Sequence, residues 1–328
     1  LARNLRRLPF PERASTQQRE QVIKEVHGAL ANGNSVLSRA LNQGEYKFIS
    51  AGDLGPFQGL ALCERHIISP EFVSDARGRA LLVSEDESVS VMLNEEDHIR
   101  IQVLHEGLAL KEAAETADRI DSVLAESLDF AYDSELGYLT QCPTNLGTGM
   151  RASLMMHLPG LTEAGSLPRI AGNLSKLGLT LRGAYGEGSR ALGELYQLSN
   201  QITLGISENE AIENLLALAG ELIKEEQKLR ERLLENARAK DKIARAAGTL
   251  TYAQLISGGE AAELLSLVRL GIAGGMLEGL DLGEIDGLMV KTQPGSIIDQ
   301  AGKELNEAER DAARAEKLRA AAVKLSAK

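Results

Sequence analysis

The feature that most restricts the fold is a change of character near Ser207. Every stretch with strand periodicity lies before it. From Asn209 to the end, apolar residues recur only at helical spacing. A chain of 328 residues is long enough for two cores. The pattern therefore predicts an α+β domain over residues 1–230, followed by an all-helical domain over 231–328. In the first part, helices are expected from Thr16 to Leu41, from near Asp53 (as cap) to Glu64, and from Lys111 to Phe130. Strands are expected at 45–50, 79–84, 88–93, 98–104, 138–142, 153–158, 178–183 and within 194–205. A long charged helix, with room for a kink, is expected from Asn209 to about Ala247, and the last residues from Ala312 are Ala/Lys-rich and could fray.

Charge and cysteine usage exclude several function classes. A formal net charge of -11 repels phosphate backbones, so nucleic acid is not an expected partner. Cys63 and Cys142 lie far apart and form no CxxC pair, and the five His residues form no zinc-type pattern. Free thiols in a reducing cytoplasm are expected. No apolar run is long enough to span a bilayer, and no signal peptide is visible. The chain begins on Leu1 rather than Met, in an Arg-rich stretch, so further natural residues are expected before it.

Three segments carry candidate chemistry. Asn94, Glu95, Glu96 and Asp97 stand between two strand patterns, so three carboxylates are expected to project from one tight loop. Crowded like charges raise at least one pKa. Such a loop can hold Mg²⁺ or offer a base to a reacting N–H, and a solvated acidic turn is the competing reading. Residues 142–153, CPTNLGTGMRAS, form a Gly-containing loop that is not a Walker A sequence; Arg151 could grip phosphate. Cys142 reads either as a packing residue or as a thiolate beside a cation. Residues 182–189, RGAYGEGS, carry three glycines and could fold over a ligand, with Arg182 as a further donor, or could be a plain hairpin.

Together these stretches resemble the ATP:guanido phosphotransferases. NEEDHIR at 94–100 and CPTNLGTGMRAS at 142–153 are similar to that family's two signature stretches. Within the family the chain looks most like its bacterial protein-arginine kinase branch. Tyr185 stands where metazoan arginine kinases carry Arg, their N-terminal helical domain is not expected here, and RDAARAEKLR at 310–319 fits the branch motif RDxxRAxxLR. The resemblance implies an antiparallel-sheet catalytic domain with flanking helices, and ATP with Mg²⁺ as cofactors.

It also implies roles. Glu96 would be the base, Glu95 would assist near the Mg²⁺ water shell, and Cys142 would sit by the guanidinium as a thiolate. Arg100, Arg151 and Arg182 would clamp phosphates. Ala152, Ser153, Leu154, Met155, Gly183, Ala184, Tyr185, Gly186 and Glu187 would line the nucleotide site, with His66 as a further contact. Arg310, Asp311, Arg314, Ala315 and Arg319 would form an allosteric phosphoarginine site. On a helix Arg310, Arg314 and Leu318 share one face and Asp311, Ala315 and Arg319 the adjacent one. A solvated helix with Glu307 and Asp311 pairing the arginines is the competing reading. Two features depart from the family: its Ser-x-Arg-x-Arg element does not precede LARN, and Arg190 stands where relatives often carry an acid near the substrate. The implied partners are proteins with exposed arginines, an McsA-like activator, a Clp-type protease and a second copy in a homodimer. Phosphorylation would mark proteins for degradation in a stress response. Two alternatives stand beside this: a kinase of a small free guanidine, and a non-catalytic phosphoarginine-binding protease adaptor.

Overall fold

The computed structural model describes residues 1–31, 45–184 and 191–327. The chain divides into two compact units, Leu1–Ala152 with Asn200–Asn214, and Ser153–Ser199 with Leu215–Lys328. This grouping follows packing, and it divides the chain differently from the domain boundary expected near residue 230.

The first unit is built on a five-stranded antiparallel sheet. Its strands are β1 (Ala2–Arg3), β2 (Tyr46–Ser50), β3 (Ala80–Ser84), β4 (Val89–Leu93) and β5 (Ile99–Val103), in the order β1-β5-β4-β3-β2. Helix α1 (Thr16–Ala31) and, further along the chain, α4 (Leu110–Ala125) cover one face, while α2 (Pro56–Glu64) and α3 (Pro70–Ser74) cover the other. The two-residue period of a strand explains the sorting. Ala80 and Leu82 of β3, Val89, Val91 and Leu93 of β4 and Ile99 and Ile101 of β5 pack with Val22, Val26, Leu30, Ile120 and Leu124. Leu81, Val83 and Met92 point the opposite way, onto Ile67, Ile68 and Phe72. Ser90 shares that second face and donates from Oγ to the Ile67 carbonyl at 2.7 Å, so its hydroxyl is paired where burial demands it.

Some expected elements are shorter. The first helix is described to Ala31, and 32–44 lie outside the described residues. Asp53 is not a helix cap: it closes a short 3-10 turn, and Gly55 precedes α2, whose first residue is Pro56. The helix expected to reach Phe130 ends at Ala125, which frees Phe130 to pair with Leu5. In place of a strand over 138–142, only β6 (Tyr132–Asp133) and β7 (Gly137–Tyr138) pair.

The second unit contains the sheet β8 (Ser153–His157), β9 (Leu179–Gly183) and β10 (Leu195–Asn200), in the order β8-β10-β9, with β8 and β10 antiparallel. Asn200, the last residue of β10, already belongs to the first unit. Helices α5 (Pro159–Glu163) and α6 (Leu167–Lys176) join β8 to β9. The expected long helix is two: α7 (Glu208–Glu235), whose residues up to Asn214 belong to the first unit, and α8 (Ala237–Tyr252). The break falls at Asn236, whose backbone is extended and whose side chain caps α8 by accepting from the Arg238 amide. Then follow α9 (Gly258–Ala273), α10 (Leu282–Lys291), α11 (Pro294–Ala301) and α12 (Glu307–Ala322). Their core joins Ile243, Leu250, Leu265, Val268, Ile285, Met289 and Leu318 with Leu195 of β10. The C-terminal part is not wholly helical: β11 (Leu277–Glu278) pairs with β12 (Ser326–Ala327), which ties down a tail that composition leaves free to fray. No helix among the described residues is long and apolar enough to cross a membrane.

Candidate active site

The loop between β4 and β5 turns on Asn94, which adopts a left-handed conformation (φ 59°) and is fully buried. Asn tolerates this conformation because its short amide bonds locally. Here the amide donates to the Arg19 and Gly78 carbonyls, and Arg79 donates to the Asn94 carbonyl.

The three carboxylates that follow have three different fates, so the expectation of a jointly projecting acidic loop is corrected. Glu95 is turned inward, with its side chain 3% exposed. It accepts from Ser69 Oγ at 2.5 Å, from Arg100 at 3.0 and 3.2 Å, and from the Glu96 amide at 3.1 Å. Burial alone would raise its pKa, but the Arg100 charge, the Ser69 hydroxyl and the amide outweigh burial and hold it below the usual carboxylate range. Asp97 is also buried and accepts from Asn4 at 2.6 Å and from the Gln141 amide at 2.8 Å. Burial raises its pKa against those two donors. Glu96, between them, is half-buried, and no hydrogen bond to its carboxylate exists among the described residues. Its pKa is raised, first by burial, then by the charges of Asp97 and Glu95. A carboxylate that is accessible and more basic than usual has the properties of a general base.

Two further groups are held to this loop. Asp97 binds the amide of Gln141, the residue before Cys142, so Cys142 and Glu96 each stand one residue from a shared hydrogen bond. Cys142 Sγ lies 3.0 Å from Thr144 Oγ1, and the Cys142 carbonyl accepts from Thr140. It is a free cysteine, as is Cys63. Arg100 is 42% exposed at its side chain. Among the described residues only its Nη1 is bonded, to Glu95, so the rest of its fork can meet an anion. His66 follows α2 with φ 60°, and its carbonyl accepts from Gln102, two residues beyond Arg100 on the same strand face. Burial lowers the His66 pKa, so the ring is neutral at neutral pH.

The glycine loop has a steric origin. At Gly147 (φ 107°) an added Cβ would stand 2.2 Å from the Thr203 carbonyl oxygen, and at Gly149 (φ 60°) one would stand 2.6 Å from that of Ala2. Both are close backbone approaches that only glycine permits. Asn200 then secures the segment, accepting from the Ala152 amide at 2.7 Å and donating to the Met150 carbonyl at 3.1 Å. Arg151, exposed, is held between these two contacts.

The first unit thus brings together Glu95, Glu96, Arg100, His66 and the Cys142 loop, and it also holds Arg151 and Ala152. The remaining nucleotide candidates belong to the second unit. Ser153, Leu154 and Met155 lie on β8, Met155 opposite Gln197, and Arg182 and Gly183 lie on β9, followed by Ala184. Tyr185, Gly186, Glu187 and Arg190 lie outside the described residues. Sequence reasoning missed Ser69, Asn4 and Asp97 as organisers of the site. Ser69 had a signal, a Ser before Pro that caps α3, and it does accept from the Phe72 amide. Asn4 had none, because its partner is 93 residues away.

The tail candidates lie on α12. Arg314 is 1% exposed and donates to the Thr292 and Ile256 carbonyls at 2.8 Å each and to Asp311 at 2.6 Å. Arg310 donates to the Leu305 carbonyl and Arg319 to that of Ala253, and Ala315 is buried. The helix is therefore not a solvated one: its arginines bind carbonyls of neighbouring segments, and Asp311 pairs with Arg314.

Comparison with known proteins matches this geometry to a lineage. Residues 22–229 match the ATP:guanido phosphotransferase C-terminal catalytic domain, and 236–328 match the protein-arginine kinase McsB C-terminal domain. A protein-arginine kinase of Pelotomaculum thermopropionicum is 44% identical over 317 residues, covering 96% of this chain and 88% of its own. One from Caldanaerobacter subterraneus subsp. tengcongensis is 43% identical, with 96% and 93% covered. Among solved structures, a lombricine kinase is similar (TM-score 0.58, 26% identity, 70% of this chain and 64% of that one). So is the duplicated taurocyamine kinase of Schistosoma mansoni with transition-state analogue components (TM-score 0.61, 27% identity, 71% and 32%). The carboxylate loop, the Cys142 loop and the helical tail all lie within the matched regions, and the chain is a kinase belonging to the ATP:guanido phosphotransferase family, in its protein-arginine kinase branch.

Proposed function

We propose that this kinase transfers the γ-phosphoryl group of MgATP to the guanidinium of arginine side chains in proteins. The observation that carries the reading is the contrast between Glu95 and Glu96. Glu95 is committed to Ser69 and Arg100, whereas Glu96 is half-exposed with a raised pKa. An arginine side chain is protonated at neutral pH and cannot attack phosphorus until a proton leaves. In this reading Glu96 takes a proton from a terminal guanidinium nitrogen. That nitrogen then bonds to the γ-phosphorus, and the bond to the β–γ bridging oxygen breaks, releasing ADP. Arg100, aimed by Glu95, would meet the phosphates, and Arg151 and Arg182 would supply further donors.

Mg²⁺, when bound with the nucleotide, neutralises phosphate charge. Direct ligation by Glu95 does not fit this arrangement, because both its oxygens already accept hydrogen bonds. The ion would instead arrive on the nucleotide's own oxygens. The reading extends to phosphoarginine as a mark for a Clp-type protease in a stress response, and to phosphoarginine binding at α12, where Arg310 and Arg319 each use only Nη1 among the described residues.

The test is transfer of label from ATP to an arginine-rich unfolded protein, by the wild type and by Glu96→Ala. Acid-labile label on protein arginine, absent with the variant, is the expected result. Label on free arginine alone would replace the reading with a small-guanidine kinase. No label on either, with phosphoarginine still bound, would leave an adaptor.

A further inference from the structure

Helices α6 and α7 leave an open groove of about 270 Å³ between them. One wall carries Ile170 and Leu174, one turn apart on the same face of α6, and Leu177, which directly follows the helix. The other wall carries Leu218 and Leu222, with Leu161 at the base. Leu177 is 60% exposed, so the groove keeps uncovered apolar surface. Its rims are charged and unlike. Glu221 and Glu225, one turn apart on α7, line one side, and Arg169 lines the other. Glu221 already faces Lys224 at 2.9 Å, whereas no ion pair engages Glu225 or Arg169 among the described residues.

We infer that this groove docks an unfolded polypeptide segment in which an arginine or lysine is flanked by large apolar side chains. The inference rests on the protein-substrate reading above and names a docking surface for that substrate. Charge complementarity selects the occupant. An apolar trough alone would accept any greasy segment, but two carboxylates on one rim favour a cation seated beside the apolar contacts. Arg169 opposite can donate to the backbone carbonyls of an extended chain, whose amides and carbonyls are unpaired. The volume suits one or two side chains rather than a folded domain. A segment of this composition is common in unfolded proteins and rare on folded surfaces, since its apolar residues would ordinarily be buried.

The experiment reads binding without turnover. A fluorescently labelled unstructured peptide with arginines between leucines is titrated by anisotropy into the full chain, the double variant Glu221→Lys/Glu225→Lys, and Leu177→Glu. These positions are exposed, and circular dichroism melting checks that each variant is folded. The expected result is a Kd weakened about tenfold in both variants. A peptide with leucines replaced by serines, or arginines by glutamines, should bind the wild type similarly weakly, while phosphorylation of free arginine stays unchanged in the variants. Kd values within about twofold of wild type in both folded variants, or no binding by the wild type, overturn the proposal. Dissociation of a dimer by Leu177→Glu with peptide binding intact would assign the groove to a second copy and also overturn it. Peptide binding of the expected pattern in a protein that labels no arginine would sustain the docking surface and remove the activity assigned above, so the two readings fail separately.

Discussion

Glu96 and Glu95 are adjacent in sequence, yet their surroundings assign them different work. Glu96→Gln keeps size and removes the base, and kcat is expected to fall by about 10²- to 10⁴-fold with a small change in KM, measured by ADP release. Because the Glu96 pKa is raised by burial and by its acidic neighbours, the acid limb of the wild-type rate profile should lie above the ordinary carboxylate range. Activity requires the deprotonated form, so it is lost as pH falls through that value. A limb at an ordinary carboxylate pKa would argue against Glu96 as the base. His98 makes a second residue-scale prediction. Its Nδ1 accepts from the Leu5 amide at 3.0 Å, and Nε2, 2.9 Å from the Pro9 carbonyl, must then carry the proton and donate. The ring is buried, and burial lowers its pKa from 6.5 to about 4. The depressed value means the neutral ring favours folding above pH 6.5, and that contribution is lost as pH falls from 6.5 towards 4. The loss is expected to reach roughly 3 kcal/mol by the lower value. Urea midpoints across that range should decline in the wild type and decline less in His98→Gln.

At the scale of elements, the short β1 matters more than its length suggests. Arg3 on β1 is buried and donates to Asp121 of α4 at 2.8 and 3.1 Å and to the Thr148 carbonyl at 2.9 Å, with its guanidinium 3.4 Å from the centre of the Tyr138 ring. One residue thereby joins the edge strand, a covering helix and the glycine loop. Arg3→Met leaves the Asp121 carboxylate buried without its cation, and a loss of about 3–5 kcal/mol is expected from urea unfolding. The glycine loop follows the same logic from the backbone side. In Gly147→Ala the new methyl would meet the Thr203 carbonyl, so the loop must move. A large activity loss with a smaller stability loss, about 1–3 kcal/mol, is expected.

The whole molecule gathers distant parts of the chain into each unit. In the second unit the link is Glu226 of α7, buried, which accepts the amides of Gly160 and Leu161 at 2.9 Å each while Arg230 lies 3.4 Å away. Burial raises its pKa against those donors. Glu226→Leu would leave two buried amides unpaired, with an expected cost of roughly 2–5 kcal/mol, seen as a lower Tm in calorimetry. An unchanged Tm would mean that solvent reaches those amides. Together with Leu195 of β10 in the helical core, this contact makes the segment Ser153–Ser199 depend on residues more than sixty positions later.

Local information was enough for much of this protein. The alternation of Val89, Val91 and Leu93 against Ser90 and Met92 determined a strand with two unlike faces, because successive side chains point to opposite sides. The signature stretches at 94–100 and 142–153 carry the family resemblance in the sequence alone. Element ends were less legible: α4 stops at Ala125 and Phe130 pairs with Leu5, and no pattern within residues 111–130 announces that contact. The three carboxylates of the loop are equivalent as sequence. Only the tertiary structure separated them, by bringing Ser69 and Arg100 to Glu95 and Asn4 and Gln141 to Asp97, and leaving Glu96 accessible. Arg314 is the same case, for its helical spacing describes a charged face while its burial comes from carbonyls of residues 256 and 292. Periodicity is a property of neighbours along the chain, and so it is written in the sequence. Burial and pairing are properties of neighbours in space, and they are decided only when the chain has folded.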